Sequence, residues 1–72
     1  MRIVYDPELD VAHLLFDEGA PATTTARGPV SGVAAGGYVD AEYDAAGRLI
    51  GFEVLGAQRV LPPEVLAGAE PA

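Results

Sequence analysis

The residues of this sequence that could do chemistry are one histidine and a scattered set of carboxylates. His13 is the only histidine, and a histidine beside a carboxylate is a common general base or metal ligand. Glu53 follows a glycine within an otherwise apolar run, and Glu42 lies in a run that alternates polar and apolar residues. His13, Glu42 and Glu53 are therefore the candidate functional surface.

His13 also has a simpler structural interpretation. In a β-strand, alternate side chains share a face, so His13 lies on the same side as Val11 and Leu15. A histidine between two apolar neighbours is typical of a packed or interface side chain. A metal site would also need further ligands.

The two glutamates likewise have two interpretations. If Glu42 and Glu53 lie opposite each other, they form a carboxylate pair suited to acid–base catalysis. Like charges across neighbouring strands destabilise a sheet, however, and a hydrogen bond from Arg48 or Arg59 would explain Glu53 equally well.

A third group of carboxylates, Asp6, Glu8 and Asp10, lies within five residues, as in a calcium-binding loop. The glycine and the bidentate glutamate of that loop are missing, and Pro7 interrupts the run. Ser31 has no nucleophile-elbow pattern around it. We therefore expect turn formation and solubility from these acids, and we assign no catalytic residue, metal ligand or cofactor-binding residue.

Two hairpins are predicted to position these residues. Residues 2–5 are β-branched and end at Asp6 and Pro7, which favour a type I turn. The returning strand, residues 11–16, is apolar on both faces, which suggests that both faces are covered.

The second hairpin has the stronger turn signal. Residues 38–43 alternate, with Val39 and Ala41 on one face. Asp44 then begins a turn, and Gly47 supplies the positive φ that closes it. Residues 48–55 run back, and Gly51 predicts a bulge or the close approach of another backbone.

The remaining segments are predicted as follows. Residues 17–21 form a loop, 22–27 an edge strand and 31–37 a flexible glycine-rich loop. A short helical turn begins near Pro63, and residues 67–72 form a frayed tail. The fold class is mainly β: one domain over residues 1–66, with a small antiparallel meander of four to five strands.

Composition limits the function. The chain has 72 residues, no cysteine and a net charge of -7, from eleven acids and four arginines. A chain this short has a small core, and without disulfides an additional subunit is the expected support. The charge argues against direct nucleic-acid binding. No apolar run is long enough for a membrane span or signal peptide, so a cytoplasmic location is expected.

The two hairpin motifs resemble a known bacterial family of short proteins. The first is Tyr5-Asp6-Pro7-Glu8-Leu9-Asp10 followed by an apolar strand, and the second is YDAAGRLIGFEVL over residues 43–55. Together they resemble DUF2283, a domain of unknown function. This sequence differs where the family often has an aromatic and a charged residue, at His13 and Leu15, and in its longer glycine-rich segment 31–37.

The resemblance implies a compact, mainly β domain and no established activity. Such proteins look like companions encoded beside small toxin-like proteins, which implies an antitoxin-like or accessory role. The favoured hypothesis is a non-catalytic interaction module that forms a homodimer or binds a small basic protein. The alternative is a small metal-dependent hydrolase that uses His13 and nearby carboxylates.

Overall fold

The computed structural model describes residues 1–17 and 23–72. These residues form one six-stranded mixed sheet and two short helices. The strands are β1 (Arg2–Asp6), β2 (Val11–Leu15), β3 (Ala26–Pro29), β4 (Tyr38–Tyr43), β5 (Leu49–Leu55) and β6 (Glu70–Pro71), and the helices are α1 (Ala57–Val60) and α2 (Pro63–Ala67). The prediction of a mainly β fold is confirmed.

The sheet consists of two units, each formed by strands that follow one another along the chain. β1 and β2 form one antiparallel hairpin, and β3, β4 and β5 form an antiparallel meander. The two units join where β2 pairs with β5, which gives the strand order β3-β4-β5-β2-β1-β6. The sheet is mixed because β6 pairs parallel with β1.

An aspartate holds each hairpin turn. Asp6 Oδ1 accepts hydrogen bonds from the backbone N–H groups of Glu8 and Leu9. Asp44 Oδ1 accepts from those of Ala46 and Arg48, and Gly47 has a φ of 78°. A short carboxylate can bond the backbone two residues on, and in both turns it does so through contacts local in sequence.

One face of the sheet, here the covered face, packs against the helices. Its centre is a cluster of buried residues from β2, β4, β5 and α1, joined by partly buried residues of α1 and α2 and of the segment between β3 and β4: Ala12, Val39, Val54, Ala57, Val33, Val60 and Leu66. In the described part of the chain, Val54 is the only large side chain that is fully buried. The core is therefore small, even for a chain of this length.

Gly51 lies at the junction of the two units. A Cβ at this position would overlap the carbonyl oxygen of Leu14 on β2. The register also shifts beside it, since Glu42 pairs with Gly51 while Tyr43 pairs with Leu49. Gly51 thus lies both at a close backbone approach and beside a bulge, the two features that explain an isolated glycine inside a strand.

The structure differs from the sequence-based expectations in three segments. The edge strand expected over 22–27 is found at Ala26–Pro29, so Gly28 and Pro29, beyond the expected end, belong to it. The loop expected over 17–21 and residue 22 lie largely outside the described residues. In the tail expected to fray, Glu70 and Pro71 form β6.

The glycine-rich segment 31–37 contains no strand or helix. Its conformation packs on α1: a Cβ at Gly36 would meet Arg59, and one at Gly37 would meet Val60. The glycines therefore permit close contact with the helix. The C-terminal region contains two short helices where a single helical turn was expected, and Pro63 is the first residue of α2.

The attachment of β6 is expected to weaken in acid. Arg2 donates hydrogen bonds to both carboxylate oxygens of Glu70, and this contact lowers the pKa of Glu70 below its ordinary value of 4.5. A lowered pKa means that the contact stabilises the strand above about pH 4.5 and that this stabilisation is lost as the pH falls through the lowered value.

Hydrogen exchange at the Ala72 amide, which donates to the Tyr5 carbonyl, checks this expectation. Its protection should fall with pH, after correction for intrinsic exchange, in the native chain. In the Glu70→Gln variant protection should not vary with pH in this range. Equal acid sensitivity in both proteins would contradict the assignment to Glu70.

Candidate functional site on the open sheet face

The second face of the sheet, here the open face, lies opposite the helices. Strand alternation and register place on it the side chains from every second position of β1 to β5: Arg2, Val4, Asp6, Val11, His13, Leu15, Arg27, Pro29, Tyr38, Asp40, Glu42, Glu53 and Leu55. Charged residues lie at the centre of the face, and the aliphatic residues Val4, Val11, Leu15 and Leu55 form what is called its apolar margin below. The open face contains all three residues of the predicted functional surface.

His13 and Glu53 are direct cross-strand partners on β2 and β5. His13 Nε2 lies 3.1 Å from Glu53 Oε2, and the two side chains are 40% and 26% exposed. Glu53 is thus bonded to His13, not to Arg48 or Arg59, the two arginines considered from the sequence. A pair that is open to solvent in this way adds little stability by itself.

Glu42 is the one buried charged residue in the described part of the chain, with 5% of its surface exposed. Arg27 on β3 donates a hydrogen bond of 3.0 Å to Glu42 Oε2. This bond, together with the charge of Glu42 and then those of Glu53 and Asp40, raises the pKa of Arg27. One edge-strand guanidinium therefore lies in the field of three carboxylates.

The two glutamates are not opposite each other. Glu42 pairs with Gly51, and Glu53 pairs with Asp40 on one side and His13 on the other. Asp40 accepts a hydrogen bond from the phenol of Tyr38, and this bond, the charge of Asp40 and burial raise the pKa of Tyr38. The pair of Glu42 and Glu53 considered from the sequence is therefore not formed, and the carboxylate opposite Glu53 on β4 is Asp40.

Sequence reasoning missed Arg27, Asp40 and Tyr38 as members of this face. Alternation along β4 puts Tyr38 and Asp40 on the face opposite Val39 and Ala41, but only the register shows that Asp40 pairs with Glu53. Arg27 could have been found from the position of β3, which the sequence predicts several residues too early. The missing information was strand pairing, which depends on contacts distant in sequence.

The chemistry available on this face is limited. His13 and Glu53 are in hydrogen-bond contact, but among residues 1–17 and 23–72 no group of three or more His, Cys, Asp or Glu side chains is arranged to hold a metal ion. What distinguishes the face is its charge balance and its apolar margin.

The carboxylates of the first turn lie elsewhere and have structural contacts. Asp10 has a φ of 54°, and its Oδ1 accepts hydrogen bonds from the Tyr5 phenol, at 2.8 Å, and from the backbone N–H of Gln58, at 3.1 Å. The Asp10 carbonyl also accepts from the N–H of Ala57. Asp10 thus connects the first hairpin to the start of α1, and these contacts are called the Asp10 junction below.

The Tyr5 phenol both donates and accepts a hydrogen bond at this junction. The Gln58 amide donates to it at 3.2 Å and lowers its pKa. The hydrogen bond to Asp10, burial and the nearby charges of Asp10 and Asp6 outweigh that effect and raise the pKa. The phenol is therefore held in its protonated form as a donor to Asp10.

Together, the fold and the open face define a small mainly β protein with helices on one sheet face and charged residues on the other. The chain belongs to the family described as "Protein of unknown function (DUF2283)", whose model matches residues 2–58. The match includes both hairpins and all of the Asp10 junction, since Tyr5, Asp10, Ala57 and Gln58 lie within it. The resemblance deduced from the sequence is confirmed.

Neither the curated proteins nor the solved structures include a significant match to the chain. In the described residues, none of the helices has the length and apolar character required to cross a membrane.

Proposed function

We propose that this protein is a non-catalytic protein-interaction module that acts as a homodimer, with the open face of one copy covered by the open face of a second. The observation that supports this proposal is the distribution of apolar surface. Among the residues that the structure describes, the core contains one large fully buried side chain, Val54, whereas Tyr38 and Leu55 on the open face remain 46% and 39% exposed. A second copy would bury them.

The size of the open face suits a weak dimer. Five strands about 4.8 Å apart and five residues long give a patch of roughly 19 by 17 Å. Stable interfaces bury about 800 Å² on each partner, whereas this patch covers only about 320 Å² in projection. We therefore expect self-association at micromolar concentrations rather than an obligate dimer.

The dimer proposal is tested by the solution mass of the protein. Light scattering should give about twice the chain mass of 7.4 kDa at high micromolar concentration. The Leu55→Asp variant should shift the equilibrium to monomer, because it places a charge in the apolar margin of the open face.

The matched control is Leu9→Asp, which adds the same charge on the first turn, where Leu9 is 71% exposed. This variant should keep the native mass. A monomeric native protein, or equal loss of the dimer in both variants, would contradict the proposal.

An antitoxin-like or accessory role would follow if the module also binds a small basic protein, as the net charge of -7 suggests. The alternative of a small metal-dependent hydrolase is not favoured by any observation. His13 and Glu53 are in contact, but the described residues contain no group of three or more His, Cys, Asp or Glu side chains arranged to hold a metal ion.

A further inference from the structure

We propose that a cationic segment of a basic protein binds the open face in competition with the second copy, with an arginine or lysine side chain placed over Asp40 and Glu53. The inference rests on the proposed function, because it assigns a second occupant to the same surface. It makes the homodimer the resting form and the complex with the basic protein the alternative form.

The charge balance of the open face carries the inference. Its centre has three carboxylates, Asp40, Glu42 and Glu53, and one arginine, Arg27. Arg27 is bonded to Glu42. Asp40 and Glu53 are direct neighbours across β4 and β5. Their bonding partners are a phenol and a histidine, so they remain available to a further cation.

Self-association does not satisfy these charges. In an isologous dimer the same patch occurs on both sides, so two open faces that overlap about their centres bring a second Asp40 and Glu53 close to the first pair. Like charges placed together across an interface oppose binding. The apolar margin therefore favours the homodimer while its acidic centre weakens it, and a basic partner would relieve the repulsion.

The protein already contains an example of the recognition we propose. The guanidinium of Arg27 reaches Glu42 from the neighbouring strand and is stabilised by the charges of Glu53 and Asp40. Tyr38, which is 46% exposed beside Asp40, offers an aromatic ring to a second cation. A partner's arginine would thus meet two carboxylates and a ring.

The test uses a labelled hexa-arginine peptide as the probe, with binding followed by fluorescence anisotropy at about 0.15 M salt. The open-face variant is Asp40→Asn with Glu53→Gln, and the control is Glu8→Gln with Glu64→Gln. Both double variants change the net charge equally. We expect the open-face variant to lose about fivefold in peptide affinity and the control less than about twofold.

Binding of the peptide is also measured on the native protein, where it does not depend on the folding of a variant. Titration of the native protein with the peptide should shift amide resonances in β2, β4 and β5, and it should lower the dimer fraction measured by light scattering. The open-face variant alone should dimerise more strongly than the native chain, because the repulsion is removed.

The outcomes separate this inference from the proposed function. Equal loss of affinity in both double variants, or amide shifts confined to the turns and helices, would show that the peptide responds only to net charge and would overturn the inference. A native dimer that Leu55→Asp breaks would still support the proposed function. A native protein that is monomeric in light scattering would overturn both.

Discussion

Replacing Asp10 with alanine is expected to remove about 2–4 kcal/mol from the free energy of unfolding, a large part of the roughly 4–10 kcal/mol typical of a chain this size. Two hydrogen bonds to the carboxylate are lost, from the Tyr5 phenol and the Gln58 backbone N–H. The partly buried bond from Tyr5 is of the kind that contributes about 1.5–3 kcal/mol, whereas the exposed bond from Gln58 contributes less. Alanine also tolerates the positive φ of this position less well than aspartate, by about 1 kcal/mol.

The matched variant is Asp10→Asn. Asparagine adopts a positive φ readily, and its amide oxygen can accept both hydrogen bonds, so its cost should stay below about 1 kcal/mol. Urea unfolding followed by circular dichroism, at one fixed protein concentration, measures both variants. If alanine and asparagine destabilise the protein equally, the charge and not the geometry of the junction is responsible, and our account is wrong.

Replacing Gly51 with alanine is expected to cost about 3 kcal/mol or more, the upper end of the range for overpacking. The new methyl group would overlap the Leu14 carbonyl on β2, and a backbone atom in a central strand pair cannot move aside as a side chain can. We therefore expect a weakened or unfolded protein.

Gly28→Ala is the control, since it also adds a methyl group to a strand glycine. A Cβ at Gly28 would lie 3.8 Å from the Tyr43 ring, an ordinary contact, so stability should change by less than about 0.5 kcal/mol or rise slightly. Thermal unfolding of both variants measures the difference in their stability. Similar melting temperatures would mean that β2 and β5 separate easily enough to admit the methyl group.

Local signals accounted for most of the fold. Asp44 and Gly47 specify their turn within five residues, and β4 alternates cleanly, so the second hairpin could be read without any tertiary information. β6 could not be read this way. β6 has only two residues, one of them a proline, and shows no pattern typical of a strand. It is held by pairing with β1 and by the hydrogen bond from Arg2 to Glu70.

The sequence indicates which residues share the open face, but it does not indicate which of them are neighbours across the strands. His13, Glu42 and Glu53 do share one face, as alternation within each strand requires. The bulge between Glu42 and Tyr43 and the junction of β2 with β5 set which residues become neighbours. No local pattern gives that register, so Arg27 and Asp40 were missed as partners.

The junction between β2 and β5 also bears on how the chain folds. Each unit closes over short turns, so β1–β2 and β4–β5 can form within microseconds. Joining them requires residues some 40 positions apart, such as His13 and Glu53, to meet, and contacts of high sequence separation slow folding. We therefore expect the docking of the two hairpins to limit the folding rate, and the close backbone contact at Gly51 lies in the strand pair that this docking forms.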